Sequence, residues 1–451
     1  MTRGLEKIAY FATMATTEPR TFLQSRLHLS VVYLVILTTV FSWLNLNSWS
    51  IMLLVACRLL FGNPRISVGT AFRNRLFLAY LIFAVVETAG LLHTHHPRLQ
   101  LDIIAKDATL VAMGYVLCAG RFADRDGYRR LLGGYYFILA GALIYCLVIA
   151  SRNYLAARDS SVFFYHALTR PISQNAVIFS VYVVFGLLFL LSPGGQPLSG
   201  CSGPVRNAVR IMLAIFFIAM IVLLSSKLIL VIALLIVLNA IFRKYSFRRN
   251  RSVLLVLGSV LVAGIGLLGM TDNTVSRRYR ELAAGDLALV RRETFDPGIY
   301  FNALQLRLLE WRFGFEILRE QRAWLFGVSP GDSQDLLNNK YVDARMFIGN
   351  PAEGPGRKNR GYIGYNFHDQ YLETLVRDGL AGLFVLLVIL VLLVRLAMQY
   401  RTPEAAFIAW TIVLLFVPES PLTMQHGVFL FSFFPLLLPY GRKNAGRSGT
   451  S

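Results

Sequence analysis

The stretch 365-YNFHDQYLETLVRDGLAGLFVLLVILVLLVR-395 joins a polar segment centred on His368 to a long apolar run. An apolar run of about 20 residues is typical of a membrane-spanning helix. A histidine at the start of such a helix can accept or release a proton near neutral pH beside a low-dielectric wall. The stretch therefore predicts a membrane helix with a candidate proton-transfer group at its outer end.

The rest of the chain has the composition of a polytopic all-α membrane protein. Of its 451 residues, 55% are hydrophobic and 16% are charged, and the mean hydropathy is +0.55. The formal net charge is +20, carried mostly by Arg, which can make two-point contacts with phosphate. Much of this Arg is expected to be flanking charge that orients the helices. Because the basic residues are scattered between apolar runs, no nucleic-acid partner is predicted.

The cysteines and clustered histidines do not predict a metal site. The four cysteines contain no Cys-x-x-Cys pair, and they are Cys57, Cys118, Cys146 and Cys201. His93, His95 and His96 have a suggestive spacing, but no neighbouring carboxylate or cysteine completes a ligand set. We interpret them as loop residues.

Twelve apolar segments are predicted as transmembrane helices, at about 29–45, 47–61, 76–93, 101–120, 131–150, 174–192, 208–224, 228–242, 252–270, 379–398, 404–417 and 425–440. With these segments, the basic loops fall alternately on one side, which the positive-inside rule makes cytoplasmic. Both termini are then cytoplasmic, and the first segment is a retained helix. Three regions are expected, namely a transmembrane region over 1–270 with about nine helices, an outer loop domain over 271–368, and a transmembrane region over 369–451 with about three.

The segment from Val209 to Phe242 is too long for one crossing. As a single helix it would span about 51 Å, against a hydrocarbon core of about 30 Å. A turn at Ser225-Ser226-Lys227 keeps the flanking basic clusters on one side and places Lys227 at the outer mouth of a hairpin. A lysine there either faces an anionic partner or simply extends to the interface.

The outer loop domain is expected to be folded and mostly helical. Its apolar stripe, which follows a 4-3-4-3 spacing, predicts an amphipathic helix on the membrane or on the bundle and consists of Leu304, Leu308, Trp311, Phe315 and Leu318. Residues 326–331 predict a chain reversal, because they contain glycine and proline. Residues 349–364 predict a mobile flap.

Several side chains in the opening stretch and elsewhere in the chain have both a functional and a structural interpretation. Glu373 and Arg377 are spaced for an ion pair on one helix face, and Gly379 and Gly382 would admit a neighbouring helix. His368 is either a proton acceptor or an interfacial histidine. Arg307 and Arg312 are either anion-binding or merely solvated, and a weaker signal from 418–426 adds Glu419, Gln425 and His426.

No phosphate loop, dinucleotide fingerprint, His-Glu-x-x-His or Gly-x-Ser-x-Gly motif occurs in the chain. Outward-facing chemistry without a nucleotide motif needs a substrate that arrives activated, and a lipid pyrophosphate would qualify.

Three motifs in chain order resemble the O-antigen ligase family. They are Arg307-x-x-x-Trp311, Leu325-Phe326-Gly327-Val328-Ser329-Pro330-Gly331, and Asn366-Phe367-His368-Asp369-Gln370-Tyr371-Leu372 followed by Gly379 and Gly382. The family includes lipopolysaccharide O-antigen ligases and shares its membrane domain with Wzy-type O-antigen polymerases and pilin O-oligosaccharyltransferases. The resemblance is clearest over about 220–385.

The resemblance implies an inverting, metal-independent glycosyltransferase of the GT-C type that uses no cofactor. Its donor would be a glycan on undecaprenyl pyrophosphate, at the periplasmic face of the bacterial inner membrane, and its acceptor lipid A-core. His368 would be the general base, Arg307 would hold the pyrophosphate, and Lys227 would be a second cation. The expected substrate-binding set is Arg307, Lys227, Arg312, Asp369 and Gln370.

The sequence departs from the family pattern at two of these positions. Lys227 stands where the family usually has Arg, and Lys cannot make the two-point contact with phosphate. Asp369 stands where an Asn is expected; it could orient the imidazole and raise its pKa, or cap the helix.

Two groups of alternatives stay open at this point. A polymerase or a protein O-oligosaccharyltransferase would use the same donor chemistry with another acceptor. A transporter of lipid-linked glycans would also have many helices and cationic cavity residues, although the chain shows none of the internal repeat that such proteins often have.

Overall fold

The computed structural model describes residues 21–60, 64–193, 195, 203–244, 287–350 and 361–441. In these ranges the chain forms α-helices, short 3-10 helices and loops, without a β-strand. The α-helices are α1 (Arg26–Val40), α2 (Leu44–Leu60), α3 (Pro64–Phe72), α4 (Arg75–Ala89), α5 (Pro97–Cys118), α6 (Arg125–Ala157), α7 (Tyr165–Thr169), α8 (Ala176–Leu191), α9 (Gly203–Leu224), α10 (Lys227–Lys244), α11 (Ala303–Glu320), α12 (Ser333–Asp343), α13 (Gln370–Tyr400), α14 (Pro403–Leu415) and α15 (Gln425–Leu437).

Four stretches of the described chain are long and apolar enough to cross a membrane: Arg75–Leu92, α6, α9 and α13. A fifth span is possible in α8 together with the short helices before it, which are bent by 83° relative to it. The protein is therefore an all-α, multi-pass membrane protein. The predicted total of twelve spans stays a prediction, and the segment 252–270 lies outside the described residues.

Helices α8 and α15 form the centre of the bundle. Both are apolar on all sides and buried along nearly their whole length, as expected for helices surrounded by others. Helix α15 packs along α5, and the α9–α10 pair packs against α8. Buried tyrosines join the layers, since the Tyr182 hydroxyl donates to the His426 carbonyl at 2.6 Å and the Tyr80 hydroxyl donates to the Phe431 carbonyl at 2.9 Å.

The predicted hairpin is confirmed. Helices α9 and α10 are separated by Ser225 and Ser226, and Ser225 has a left-handed φ of 52°. Near the start of α9, Arg210 donates to the Leu190 carbonyl at 2.7 Å, and near the end of α10, Arg243 pairs with Glu404 at 3.0 Å. Both of these ends lie at one end of the bundle, so Lys227, the first residue of α10, lies toward the other.

The basic loops gather as the charge pattern predicts. Arg125, Arg129, Arg243 and Arg401 line one cavity, which also contacts the end of α8 and the start of α14. We call this end of the bundle the arginine end. Helices α13 and α14 run antiparallel, and the Tyr371 hydroxyl donates to the Val413 carbonyl at 3.0 Å. The start of α13 and the end of α14 therefore lie at the opposite end.

A second hydrophobic core lies at that opposite end. It is built from residues 295–301, α11, α12 and the first two turns of α13, with Leu309, Phe313, Tyr341, Leu372 and Val376 among its members. The described residues of the predicted loop domain are thus folded and largely helical. The proposed boundary between 368 and 369 remains a prediction, because side chains on both sides of it enter this core.

The predicted helix is confirmed as α11, but the predicted apolar stripe is not the face that packs on the second core. The buried face consists of Gln305, Leu309, Glu310, Phe313, Gly314, Ile317 and Leu318, whereas Leu304 is 39% exposed and Phe315 is 48% exposed. Apolar residues occupy almost every side of this helix, so spacing alone could not identify the side that packs on the second core.

Helix α13 is broken at Gly379, whose φ is 66° and ψ is −163°. The chain reversal predicted at 326–331 is confirmed, and residues 323–331, which we call the splice loop, fill the break. The backbone amides of Val328 and Ser329 donate to the carbonyls of Val376 and Arg377 at 2.9 and 3.0 Å. On the other side of the break, the backbone amide of Leu380 donates to the Trp324 carbonyl at 2.8 Å.

Two predictions about α13 are corrected here, one for Gly379 and one for Arg377. A Cβ on Gly379 would lie 2.4 Å from the backbone of Leu325, so the glycine admits the splice loop and not a neighbouring helix. Arg377 does not take Glu373 as its ion-pair partner. It pairs at 2.6 Å with Glu87 of α4, while the Glu373 carboxylate accepts from the Phe367 amide at 3.3 Å.

Candidate active site

His368 lies in the turn that leads into α13. Its backbone has a φ of 47°, in the left-handed region that residues other than glycine seldom adopt. The His368 amide donates to Asn366 Oδ1 at 3.1 Å, a short-range bond that favours such a turn. The imidazole is consequently directed away from the axis of α13, towards α11.

The imidazole is held by a buried carboxylate. His368 Nδ1 lies 2.9 Å from Glu310 Oε2, and the Glu310 side chain has no exposed surface. The other carboxylate oxygen accepts from the Tyr341 hydroxyl at 3.1 Å. A single chain of hydrogen bonds therefore ends at the imidazole. It links α11, α12 and the turn before α13.

The charged groups around the imidazole shift its pKa. Burial alone lowers the pKa of His368, but the carboxylates of Glu310 and Glu419 outweigh it and raise the pKa above its ordinary value, with Arg307 opposing them. Burial raises the pKa of Glu310, against the effect of its histidine and tyrosine partners. A carboxylate on Nδ1 favours the tautomer with the proton on Nδ1. Nε2 is then the basic nitrogen.

Arg307 lies one turn before Glu310 and points to the loop after α14. Its Nε donates to the Pro418 carbonyl at 3.1 Å, and its Nη2 pairs with Glu419 at 3.3 Å. A third N–H donates to the Ala303 carbonyl at 3.2 Å. A guanidinium has five N–H groups. Three of them fix its plane, and the other two have no partner among the described residues.

The other predicted substrate-binding residues have structural partners. Arg312 holds residues 290–292 against α11, donating to the Arg292 carbonyl at 2.7 Å, and pairs with Glu316 at 3.2 Å. Gln370 is buried and joins the start of α13 to the next loop, accepting from the Leu422 amide at 2.8 Å. Lys227 is partly exposed at the first position of α10.

Of the two roles considered for Asp369, helix capping is the one observed. Its carboxylate accepts from the Leu372 amide at 2.8 Å, as an N-cap residue does. Burial raises its pKa, while bonds from the first-turn amides oppose the change. The carboxylate that orients the imidazole is Glu310.

His95 and His96 belong to a separate contact, in which both backbone amides donate to Asp332. His96 Nδ1 lies 2.9 Å from Asp332, and its Nε2 lies 3.4 Å from Asp335, so this loop is fastened to α12. No group of three or more potential metal ligands occurs among the described residues. The predicted 349–364 flap is described only at its two ends, because 351–360 lie outside the described residues.

Sequence reasoning missed Glu310 and gave Glu419 little weight. Glu310 lies 58 positions before His368, on what reads as the polar side of an amphipathic helix. The available signal was its position one turn after Arg307, which puts both on one helix face. Together these residues hold the imidazole of His368 on a buried carboxylate, next to the guanidinium of Arg307.

Residues 211–387 match the family model described as O-antigen ligase. No curated protein matches the chain. The matched range contains Lys227, Arg307, Glu310, His368 and the splice loop, whereas Glu419, the partner of Arg307, lies outside it. Over these residues the chain is similar to the O-antigen ligase family.

Proposed function

We propose that the protein transfers O-antigen polysaccharide from undecaprenyl pyrophosphate to lipid A-core at the periplasmic face of the inner membrane. The reaction is inverting and metal-independent, on a fold of the GT-C type. The observation that carries the proposal is the contact between His368 Nδ1 and the buried Glu310, next to Arg307.

In the proposed reaction, Nε2 of His368 removes the proton from an acceptor hydroxyl as its oxygen attacks the anomeric carbon of the donor sugar. The bond between that carbon and the pyrophosphate oxygen breaks, and the leaving group takes the electron pair. Attack from the face opposite the pyrophosphate inverts the configuration. Glu310 stabilises the imidazolium that forms, as a buried carboxylate partner of a catalytic histidine does.

The leaving group needs cations, because negative charge develops on it as the bond breaks. Arg307 supplies a fixed guanidinium with two remaining donors. Two carboxylates, Glu310 and Glu419, lie in the same cluster, so a pyrophosphate requires positive charge beyond Arg307. We assign that role to Lys227, which the hairpin carries toward the same end of the bundle as His368.

The periplasmic location rests on charge. The arginine end gathers the basic segments that the positive-inside rule assigns to the cytoplasm, and His368 lies toward the opposite end. Both termini are proposed to be cytoplasmic, and the proposed site then faces the lipid-linked donor outside the membrane.

Reconstitution tests the proposal. The purified full chain is supplied with a glycan on undecaprenyl pyrophosphate and with lipid A-core, and the lipid A-linked product is measured. His368→Ala is expected to lower the rate by about 10²- to 10⁴-fold, the typical contribution of general base catalysis. His93→Ala, which removes an exposed histidine outside the site, serves as the matched control.

Three outcomes would contradict the proposal. Wild-type activity in His368→Ala removes the proposed base. Extension of one lipid-linked glycan by another, without transfer to lipid A-core, identifies a polymerase. Movement of the glycan across a vesicle membrane without bond formation identifies a transporter.

A further inference from the structure

The arginine end of the bundle contains a cavity of about 390 Å³ that the proposed reaction does not use. Its wall is formed by the start of α6, the end of α10 and the α13–α14 loop, and Phe189 and Leu438 contribute apolar surface. The charged side chains of its lining are Arg125, Arg129, Arg243, Arg401 and Glu404. The cavity is therefore cationic on one side and apolar on the other.

The positive charge is not balanced within this lining. Glu404 is its one carboxylate, and it pairs with Arg243 at 3.0 Å. Arg129 Nε is buried without a hydrogen-bond partner in the described part of the chain. Its only ion pair there is 3.9 Å long, to the 80% exposed Asp126, and solvent screens such a pair. An anion in the cavity would satisfy these guanidinium groups.

A second cavity, of about 380 Å³, opens from the same loop. Both cavities are lined by Arg401, Thr402 and Pro403. The second one is otherwise an apolar groove between α13 and α14, with Val394, Met398, Ala406 and Trp410 in its lining. Val394 is about 10 Å along α13 from Arg401, so the groove runs from the charged end into the depth of the hydrocarbon.

The two cavities together fit an amphipathic anion. We propose that they bind an anionic glycerophospholipid, with its phosphate among Arg129, Arg243 and Arg401 and one acyl chain along the groove of Val394, Met398 and Trp410. Basic pockets between membrane helices bind anionic headgroups in this way. A soluble phosphate would use the first cavity and leave the groove unused, so the three lining residues that the two cavities share favour a lipid.

The test measures lipid binding and is independent of glycosyl transfer. The full chain, purified in detergent and freed of lipid, is titrated with phosphatidylglycerol in mixed micelles, and the rise in Tm gives the apparent affinity. Phosphatidylcholine and inorganic phosphate are titrated in parallel. Phosphatidylglycerol is expected to raise Tm saturably, with no comparable effect from the other two.

Variants separate the headgroup contact from the groove. Arg401→Gln is expected to weaken phosphatidylglycerol binding by about fivefold. Arg125→Gln removes another positive charge of the same lining at an exposed position, so it should weaken binding in the same direction and guards against a folding defect in the first variant. Arg395→Gln removes the same charge from an exposed position on α13 outside both cavities and should bind as the wild type does. Ala406→Trp fills the groove from an exposed position and should abolish the effect of the lipid while leaving the lipid-free Tm unchanged.

The proposal is overturned if phosphatidylcholine stabilises the protein equally, or if Arg395→Gln and Arg401→Gln weaken binding alike. It is also overturned if inorganic phosphate reproduces the Tm rise, since the site would then bind a free anion, or if Ala406→Trp binds phosphatidylglycerol normally.

Discussion

At the scale of single residues, the contact between His368 and Glu310 governs when the proposed base is available. A histidine with a raised pKa is protonated over more of the neutral range and accepts a proton only above that pKa. The wild-type rate is therefore expected to rise with pH through the raised pKa of His368. The same ion pair contributes stability that is present at low pH and lost as pH rises through that pKa.

Glu310→Gln tests this coupling. The substitution keeps the size of the side chain and its ability to accept from Tyr341, but removes the negative charge that raises the pKa of His368. The acidic limb of the pH–rate profile should move to lower pH, and the maximal rate should fall because the imidazole loses its orienting partner. Transfer rates of the purified protein between about pH 5 and pH 9 measure both effects.

Glu316→Gln is the matched control, because Glu316 lies on the same helix and pairs with Arg312 and Lys340. It should leave the profile in place. An acidic limb that keeps its position in Glu310→Gln would show that Glu310 does not act on the protonation of His368.

At the scale of elements, α13 and the splice loop form one hydrogen-bonded unit. The break at Gly379 leaves backbone groups without partners in the helix, and the loop supplies partners on both sides of it. This explains why two glycine-containing motifs, at 325–331 and at 379–382, occur together in the chain. The motifs were recognisable in the sequence, but their mutual contact was not, because they lie about 50 residues apart.

Gly379→Ala is expected to destabilise the protein by about 1–3 kcal/mol from backbone strain alone, and further through the clash with Leu325. Thermal unfolding in detergent measures the change as a lower Tm. Gly141→Ala, in helix α6 where a Cβ would meet nothing within 4 Å, is the control and should raise Tm slightly, since alanine favours a helix by about 1 kcal/mol. Equal Tm values for the two variants would refute the role assigned to Gly379.

At the scale of the whole molecule, the proposed orientation places the two ends of the bundle on opposite sides of the membrane. Helix α6 extends from the arginine end to the other end, and 33 residues at 1.5 Å each make it about 50 Å long. Single cysteines that flank it should therefore label from opposite sides of the membrane.

In a protein whose native cysteines are replaced, Ser160→Cys should react with a membrane-impermeant maleimide in intact cells. Asp126→Cys, at the other end of the same helix, should react only after the cells are broken. The reverse pattern would invert the proposed orientation and place His368 in the cytoplasm.

The sequence predicted the elements that depend on local pattern and charge. The hairpin at Ser225 and the gathering of basic loops follow from helix length and the positive-inside rule. The packed face of α11, the partner of Arg377 and the carboxylate behind His368 did not follow. Each depends on which distant surface a helix meets, and a helix with apolar residues on most sides does not encode that choice in its spacing.

The splice loop also bears on how the chain is inserted into the membrane. Residues 323–331 leave the ribosome before Gly379 does. The carbonyls of Val376 and Arg377 and the amide of Leu380 receive their partners from that loop, and a backbone group without a partner costs several kcal/mol in a medium without water. Helix α13 therefore completes these backbone hydrogen bonds only when the splice loop lies beside it, and the chain order makes the loop available first.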